Sequence, residues 1–364
     1  MWSRDRVRLL AVAGAAGAVM AFAGISVGAQ EPDEARPAAI MAATRSEVIE
    51  GVLKALHEDY VFPEVAEKMA AAVREKAGRK EYDSLTSGEA LAERLTADLQ
   101  AVSRDKHLRV RYSPSPIPQP VRREPTAADR ERMRFGGQKM NGAFRKVERM
   151  AGNVGYLDFR IFMSPEVAAE PAASAMNFLA NTDALIIDLR RNGGGDPAMV
   201  AHLCSYFFDE KPIHLNSLYW RKGDRTEEYW TVKDLAGKRY LDKPVYVLTS
   251  NRTFSGAEEF TYNLKNLKRV TVVGETTGGG AHPGGMVRVN EHFGVFVPSG
   301  RAINPITKTN WEGTGVTPHV EVPADQALEK AHELAVKEVL ERTTDEEVRQ
   351  NVRWEVEQAK AGRF

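Results

Sequence analysis

Apolar positions in the first third of the chain recur at helical spacing. Val48, Ile49, Val52, Leu53 and Leu56 fall three or four apart behind Thr44-Arg45-Ser46-Glu47, which has the spacing of a capping box. A second helix is predicted from Pro63, a residue suited to a first helical turn, to about Ala77, with Gly78 as its stop. A third begins near Ser87 and carries Leu91, Leu95, Leu99 and Val102 along one side. Together these predict a small helical bundle ahead of His107, where Leu108, Val110 and Tyr112 begin to alternate as a strand does. Ser113–Pro125 holds five prolines and reads as an extended linker, and the charged run to Arg134 as a solvated short helix or loop.

The second half changes rhythm. Arg145–Met150 and Val154–Phe162, joined through Gly152-Asn153, predict a β-hairpin. Short dense runs of β-branched and aromatic residues then alternate with helical patterns: Asp183–Leu189, Pro244–Ser250 and Arg269–Glu275 read as buried strands. Between them, Met199, Val200, Leu203, Cys204 and Phe207 share one helical face, and Ala257, Phe260, Leu264 and Leu267 another. Residues 213–240 predict strands around a turn at Gly223-Asp224, and Ala302–Thr309 an irregular surface. Amphipathic helices over about 325–342 and 344–360 close the chain as packing elements. The whole predicts an α/β fold with largely parallel pairing. Its expected segments are 44–112 for a helical domain, 113–143 for a linker, 144–330 for the core and 331–364 for the last helices.

Residues 1–29 stand apart. Arg4, Arg6 and Arg8 precede an apolar run from Leu9 to about Val27, and Val27-Gly28-Ala29 offers a small-residue cleavage site. That is the plan of a secretory signal, followed by a flexible stretch over 30–43; retention of 9–27 as a membrane anchor is the other reading. Export makes the single cysteine informative. Cys204 has no partner for an internal disulfide and reads as a buried structural thiol. Lysine plus arginine equals aspartate plus glutamate, 50 to 50 in 364 residues, so net charge implies no nucleic-acid or membrane-surface partner.

Candidate chemistry gathers at the strand-to-helix junctions. Ser255 follows the strand 244–250 and opens a helix, beside the unpaired N–H groups of a first turn. A serine nucleophile needs such a place, because attack on a carbonyl creates an oxyanion that preorganised N–H groups stabilise. The same serine also fits a plain N-cap, worth about 1 kcal/mol. After the strand 183–189 comes Arg190-Arg191-Asn192 and then three consecutive glycines, 193–195, which let the backbone approach a bound group. No phosphate-loop pattern fits there, so an oxyanion N–H is the better chemical use. A second glycine-rich loop, Thr276–Gly285, contains His282, and Glu312 lies in a turn before the final strand. There is no GxSxG, no HExxH and no cysteine–histidine metal spacing, and neither a metal nor a cofactor is implied.

Four segments in order, Asp188–Gly195, the stretch around Ser255, Val272–Pro283 and Trp311–Val322, resemble the C-terminal processing, or tail-specific, serine peptidases. The branch is that of the interphotoreceptor retinoid-binding protein, and the likeness spans roughly residues 44–330. It implies a crotonase-like core of ββα units with Ser255 as nucleophile and an oxyanion hole from the N–H groups of Gly256 and Gly194. Many members use a lysine base, but Gly279 occupies that position here. Tricorn-like members use an upstream histidine and a glutamate instead, which implies His107 as base and Glu312 behind it, with His282 as the alternative base. The family's peptide-holding PDZ module has no room in 113–143, so within the implied class of peptide or unfolded-protein substrates, short peptides or a substrate positioned by the helical domain fit better than captured C-termini. The namesake relatives imply the competing function: a catalytically silent carrier of retinoids, fatty acids or other apolar ligands on the same fold.

Overall fold

The computed structural model describes residues 42–119 and 126–363. The signal, its anchor alternative and most of the stretch 30–43 lie outside these. Three helices come first: α1 (Ala42–Asp59), α2 (Pro63–Gly78) and α3 (Gly88–Ser103). α1 starts before the expected capping box, so Thr44 lies inside it; α3 is capped as expected, the Ser87 hydroxyl accepting from the Ala90 N–H at 3.1 Å. β1 (Arg109–Tyr112) follows, then α4 (Ala127–Lys139), which gives the charged run its helix. The core continues with β2 (Phe144–Met150), β3 (Val154–Phe159), α5 (Pro165–Leu179), β4 (Ala184–Asp188) and α6 (Pro197–Cys204). Next come β5 (His214–Trp220), β6 (Arg225–Trp230), β7 (Val245–Thr249), α7 (Gly256–Asn266) and β8 (Thr271–Gly274). The chain ends with β9 (Gly284–Arg288), β10 (Phe293–Pro298), β11 (Gly300–Ile303), β12 (Val320–Glu321), α8 (Ala327–Arg342) and α9 (Glu346–Lys360).

The main sheet runs β12-β8-β7-β4-β3-β2, parallel throughout except where β2 meets β3 as a hairpin. Both faces are covered, which is why these strands read as unbroken apolar runs. Leu157, Leu185, Ile187, Val247 and Val272 point to α5, α6 and α7, and the alternate residues Tyr156, Ile186, Tyr246, Leu248 and Val273 to α8. The period of two thus assigns each residue its layer.

Two departures from the sequence reading concern the edges. Ala302 and Ile303, expected as the start of an irregular surface over Ala302–Thr309, instead end a strand: β11 pairs antiparallel with β5, and Ala302 is buried against Leu218 and Trp311. Nor do the first helices keep a core to themselves. β1 pairs with β10, and Phe293, Val295 and Val297 from β10 fill the space between α1, α2 and α3. Helices with one apolar face each need a lid for it, and the β1-β10-β9 sheet supplies one. This pairing carries residues just before β1 toward the loops of the core.

Phe260 in α7 has no exposed surface and packs between Phe162 and Phe207, with ring centroids 5.6 and 6.2 Å away. Replacing it with alanine should cost about 3–5 kcal/mol in urea unfolding, from lost burial and the cavity left behind; a loss below about 1 kcal/mol would contradict this packing.

Candidate active site

β4, β7 and β8 are neighbours and parallel, so their C-terminal ends lie side by side and the loops that follow them converge. Those loops are the first glycine run, the turn into Ser255 and the second glycine loop. They are laced together by their backbones. The Phe254 N–H donates to the Asn192 carbonyl at 3.1 Å, the Gly278 N–H to the Thr253 carbonyl at 3.0 Å, and the Thr253 hydroxyl to the Leu189 carbonyl at 2.8 Å.

Ser255 takes φ 53° and ψ −122°, a conformation that costs a residue with a Cβ on the order of 1–3 kcal/mol. Such a value persists only when the surroundings enforce it. Here the agent is Glu258, one turn into α7 and fully buried. Its carboxylate accepts from the N–H of Ser255 at 2.8 Å, of Gly279 at 2.6 Å and of Gly280 at 2.9 Å, and from the Thr277 hydroxyl. Burial raises this carboxyl to about 7, the four hydrogen bonds offsetting part of the rise by favouring the anion. Sequence reasoning assigned Glu258 no role, although Ser255-Gly256-Ala257-Glu258 has capping-box spacing.

The first glycine run presses directly on this turn. Gly194 has φ 98°, and a Cβ there would come within 2.5 Å of the Gly256 nitrogen. Its own N–H, however, donates to the Asn192 side-chain oxygen at 2.9 Å, which removes it from the oxyanion-hole position the family resemblance implied. Among the described residues, the N–H groups of Gly195 and Gly256 are hydrogen-bonded to nothing else, and a Cβ on Gly256 would lie 3.0 Å from the Gly195 nitrogen. Two open donors therefore flank the serine turn.

His107 arrives from the other sheet, between α3 and β1. Its ring lies against Phe254, the residue before Ser255, at 4.5 Å between centroids, and a Cβ on Gly280 would come within 2.8 Å of its Cε1. No hydrogen bond joins the His107 ring to Ser255, a common state before substrate tightens such contacts. The His107 Nδ1 is buried without a partner, and burial lowers the imidazole to about 4, the nearby Asp105 opposing and His282 and Arg109 adding to the fall.

Behind His107 sit two carboxylates. Glu312 accepts from the Lys106 N–H at 3.0 Å and from the Ala281 N–H, so it fastens the histidine's own segment to the second glycine loop. Its carboxyl is raised by burial and by the charge of Asp105. Asp105 is wholly buried and accepts from the His107 backbone N–H at 3.1 Å, from Tyr60 at 3.2 Å and from His282 Nδ1 at 2.8 Å. His282 packs its ring against Phe62 at the start of α2, 5.4 Å between centroids. His282 is thus held to the helical side of the cleft, whereas His107 lies on the serine side. Cys204, as expected, is buried, and burial raises its thiol.

Residues 153–322 match the model of peptidase family S41, and residues 35–136 match that for the N-terminal domain of the same family in eukaryotic IRBP. The chain belongs to peptidase family S41. Among solved structures, a candidate peptidase from Parabacteroides merdae is 19% identical with a TM-score of 0.55, covering 80% of this chain and 96% of that one. A lipoprotein from Streptococcus agalactiae is 13% identical with a TM-score of 0.52, covering 82% and 98%. At these identities the likeness is one of fold: α/β, with the crotonase-like core of S41 peptidases behind a helical N-terminal region.

Removing the charge of Glu258 tests how this site is held. Glu258→Gln keeps the shape but presents an NH2 to N–H donors, and should cost about 1–3 kcal/mol for each donor stranded. Amide exchange at Ser255, Gly279 and Gly280 should accelerate together; unchanged exchange there would refute the clamp.

Proposed function

We propose that this S41 chain is a serine peptidase, exported after removal of residues 1–29, that hydrolyses short peptides or unfolded protein segments. Ser255 is the nucleophile, His107 the base, and Glu312 the carboxylate behind it. The single observation that carries the reading is the strained Ser255 turn, set beside two open N–H donors and a neutral, buried imidazole.

The steps follow from these groups. His107 is unprotonated at neutral pH and can accept the Ser255 proton as the oxygen attacks the scissile carbonyl. The carbonyl oxygen gains charge and is received by the N–H groups of Gly195 and Gly256, Gly194 being engaged with Asn192. Glu312 and Asp105 lend negative potential to the imidazolium that forms. His107 returns the proton to the leaving amine, and water then repeats the sequence on the acyl-enzyme. Between β1 and β2 the described residues hold α4 and a short 3-10 turn, Asn141–Ala143, and in this reading the active site takes its substrate without a peptide-binding module. Among the described residues, no helix is long and apolar enough to cross a membrane.

A fluorophosphonate probe should label Ser255 in the parent and nothing in Ser255→Ala, and peptide hydrolysis should vanish with the label. His107→Ala should lose roughly 10²–10⁴-fold in kcat/KM, while His282→Ala, if it alone abolished activity, would transfer the base to His282. Because His107 is held near 4, the base form is lost only as pH falls through that value. The acid limb of kcat/KM should therefore lie near pH 4, well below the ordinary histidine value of about 6.5. Saturable fatty-acid binding by a chain whose Ser255 never labels would instead support the apolar carrier.

A further inference from the structure

Around His107 the fold has gathered more ligating chemistry than a serine peptidase uses. Asp105, His107 and Glu312 each offer a donor atom within 4.8 Å of the others. His282 joins them: its Nδ1 is 2.8 Å from Asp105 Oδ2 and 3.6 Å from Glu312 Oε2. Bonds of 2.0–2.2 Å from a tetrahedral metal place its ligands about 3.3–3.6 Å apart. The two spacings from His282 Nδ1, 2.8 and 3.6 Å, lie below that range and at its upper end, and the donors of Asp105, His107 and Glu312 fall within 4.8 Å of one another.

Charge points the same way, and independently. Asp105 is wholly buried and Glu312 largely so, their donor oxygens lie within 4.8 Å of one another, and among the described residues no lysine or arginine pairs with either. Buried charges without a cation are costly. A divalent ion would neutralise both at once, and the buried, unpartnered His107 Nδ1 shows that ligating capacity remains unused.

We propose that Asp105, His107, His282 and Glu312 form a site for one divalent transition-metal ion of the zinc class, and that its occupation reversibly blocks the peptidase reaction. Two imidazoles with two carboxylates select zinc, cobalt or nickel over magnesium and calcium, which prefer all-oxygen shells. His282 coordinates through Nδ1 once the proton it shares with Asp105 has moved to Nε2. An ion held by His107 and Glu312 takes the base and its carboxylate out of proton transfer. Binding stands on the geometry of the four side chains; the block rests on the peptidase reading.

The test uses the purified chain without an affinity tag, with zinc chloride in calorimetry and cobalt(II) as the visible-spectrum reporter. The parent and Ser255→Ala should each bind one ion, cobalt giving the intense bands of tetrahedral coordination. Asp105→Asn and His282→Gln, the latter chosen to keep size and a hydrogen bond near Asp105, should each weaken zinc by at least about tenfold. Circular dichroism on both variants confirms that they are folded. No one-to-one binding by the parent, or binding that both folded variants retain at parental strength, would overturn the site. Zinc should slow fluorophosphonate labelling of Ser255 and a chelator should restore it. Labelling indifferent to bound zinc would overturn the block alone. Zinc binding in a chain that never labels would leave the site standing and sink the peptidase reading.

Discussion

Glu258 sits one turn into α7, out of reach of water, and receives hydrogen bonds from the serine turn on one side and the second glycine loop on the other. A carboxylate has about four acceptor positions, and here four donors fill them. The backbone N–H of Ser255 is thereby committed, which holds that residue at a positive φ it would not choose. The loop that carries Gly279 and Gly280 is fixed by the same group, and with it the floor on which His107 rests. Strain at the serine and order in the glycine loop are two aspects of one buried interaction.

The remainder of the cleft depends on topology. Adjacent parallel strands deliver three loops to one edge of the sheet, a consequence of pairing order alone. His107 belongs to a different sheet and reaches the cleft because β1 pairs with β10, which leads back through β9 to the second glycine loop. Glu312 closes this path by accepting from both Lys106 and Ala281, residues far apart in sequence. The helical region is therefore a wall of the site as well as a companion to it: Tyr60 and Phe62 touch Asp105 and His282.

Much of this was legible before any coordinates. The strands β4, β7 and β8 announce themselves as apolar runs because both sheet faces are covered, and the serine and glycine motifs punctuate their ends. What the sequence could not show was long-range pairing. Nothing local in Leu108–Tyr112 says that its partner is Phe293–Phe296, so the helices read as a bundle with a core of its own. The glycine run shows a similar limit. Three consecutive glycines look interchangeable, and only the partners of the first two, the Arg160 carbonyl for the Gly193 N–H and the Asn192 side chain for the Gly194 N–H, distinguish Gly195 as the open donor. The Asp105–His282 contact joins residues on opposite sides of the chain's midpoint, and no spacing rule for metal ligands would have found it.

The place where the oxyanion settles decides which groups do the chemistry. A crystal structure of the chain with a peptidyl boronate would show it directly. The expected result is a covalent bond from Ser255 Oγ to boron, one boronate oxygen between the N–H groups of Gly195 and Gly256, and His107 within hydrogen-bonding distance of another. A boronate left unattached to Ser255, or bound with its oxygen turned away from both glycines and His282 in contact in place of His107, would contradict it.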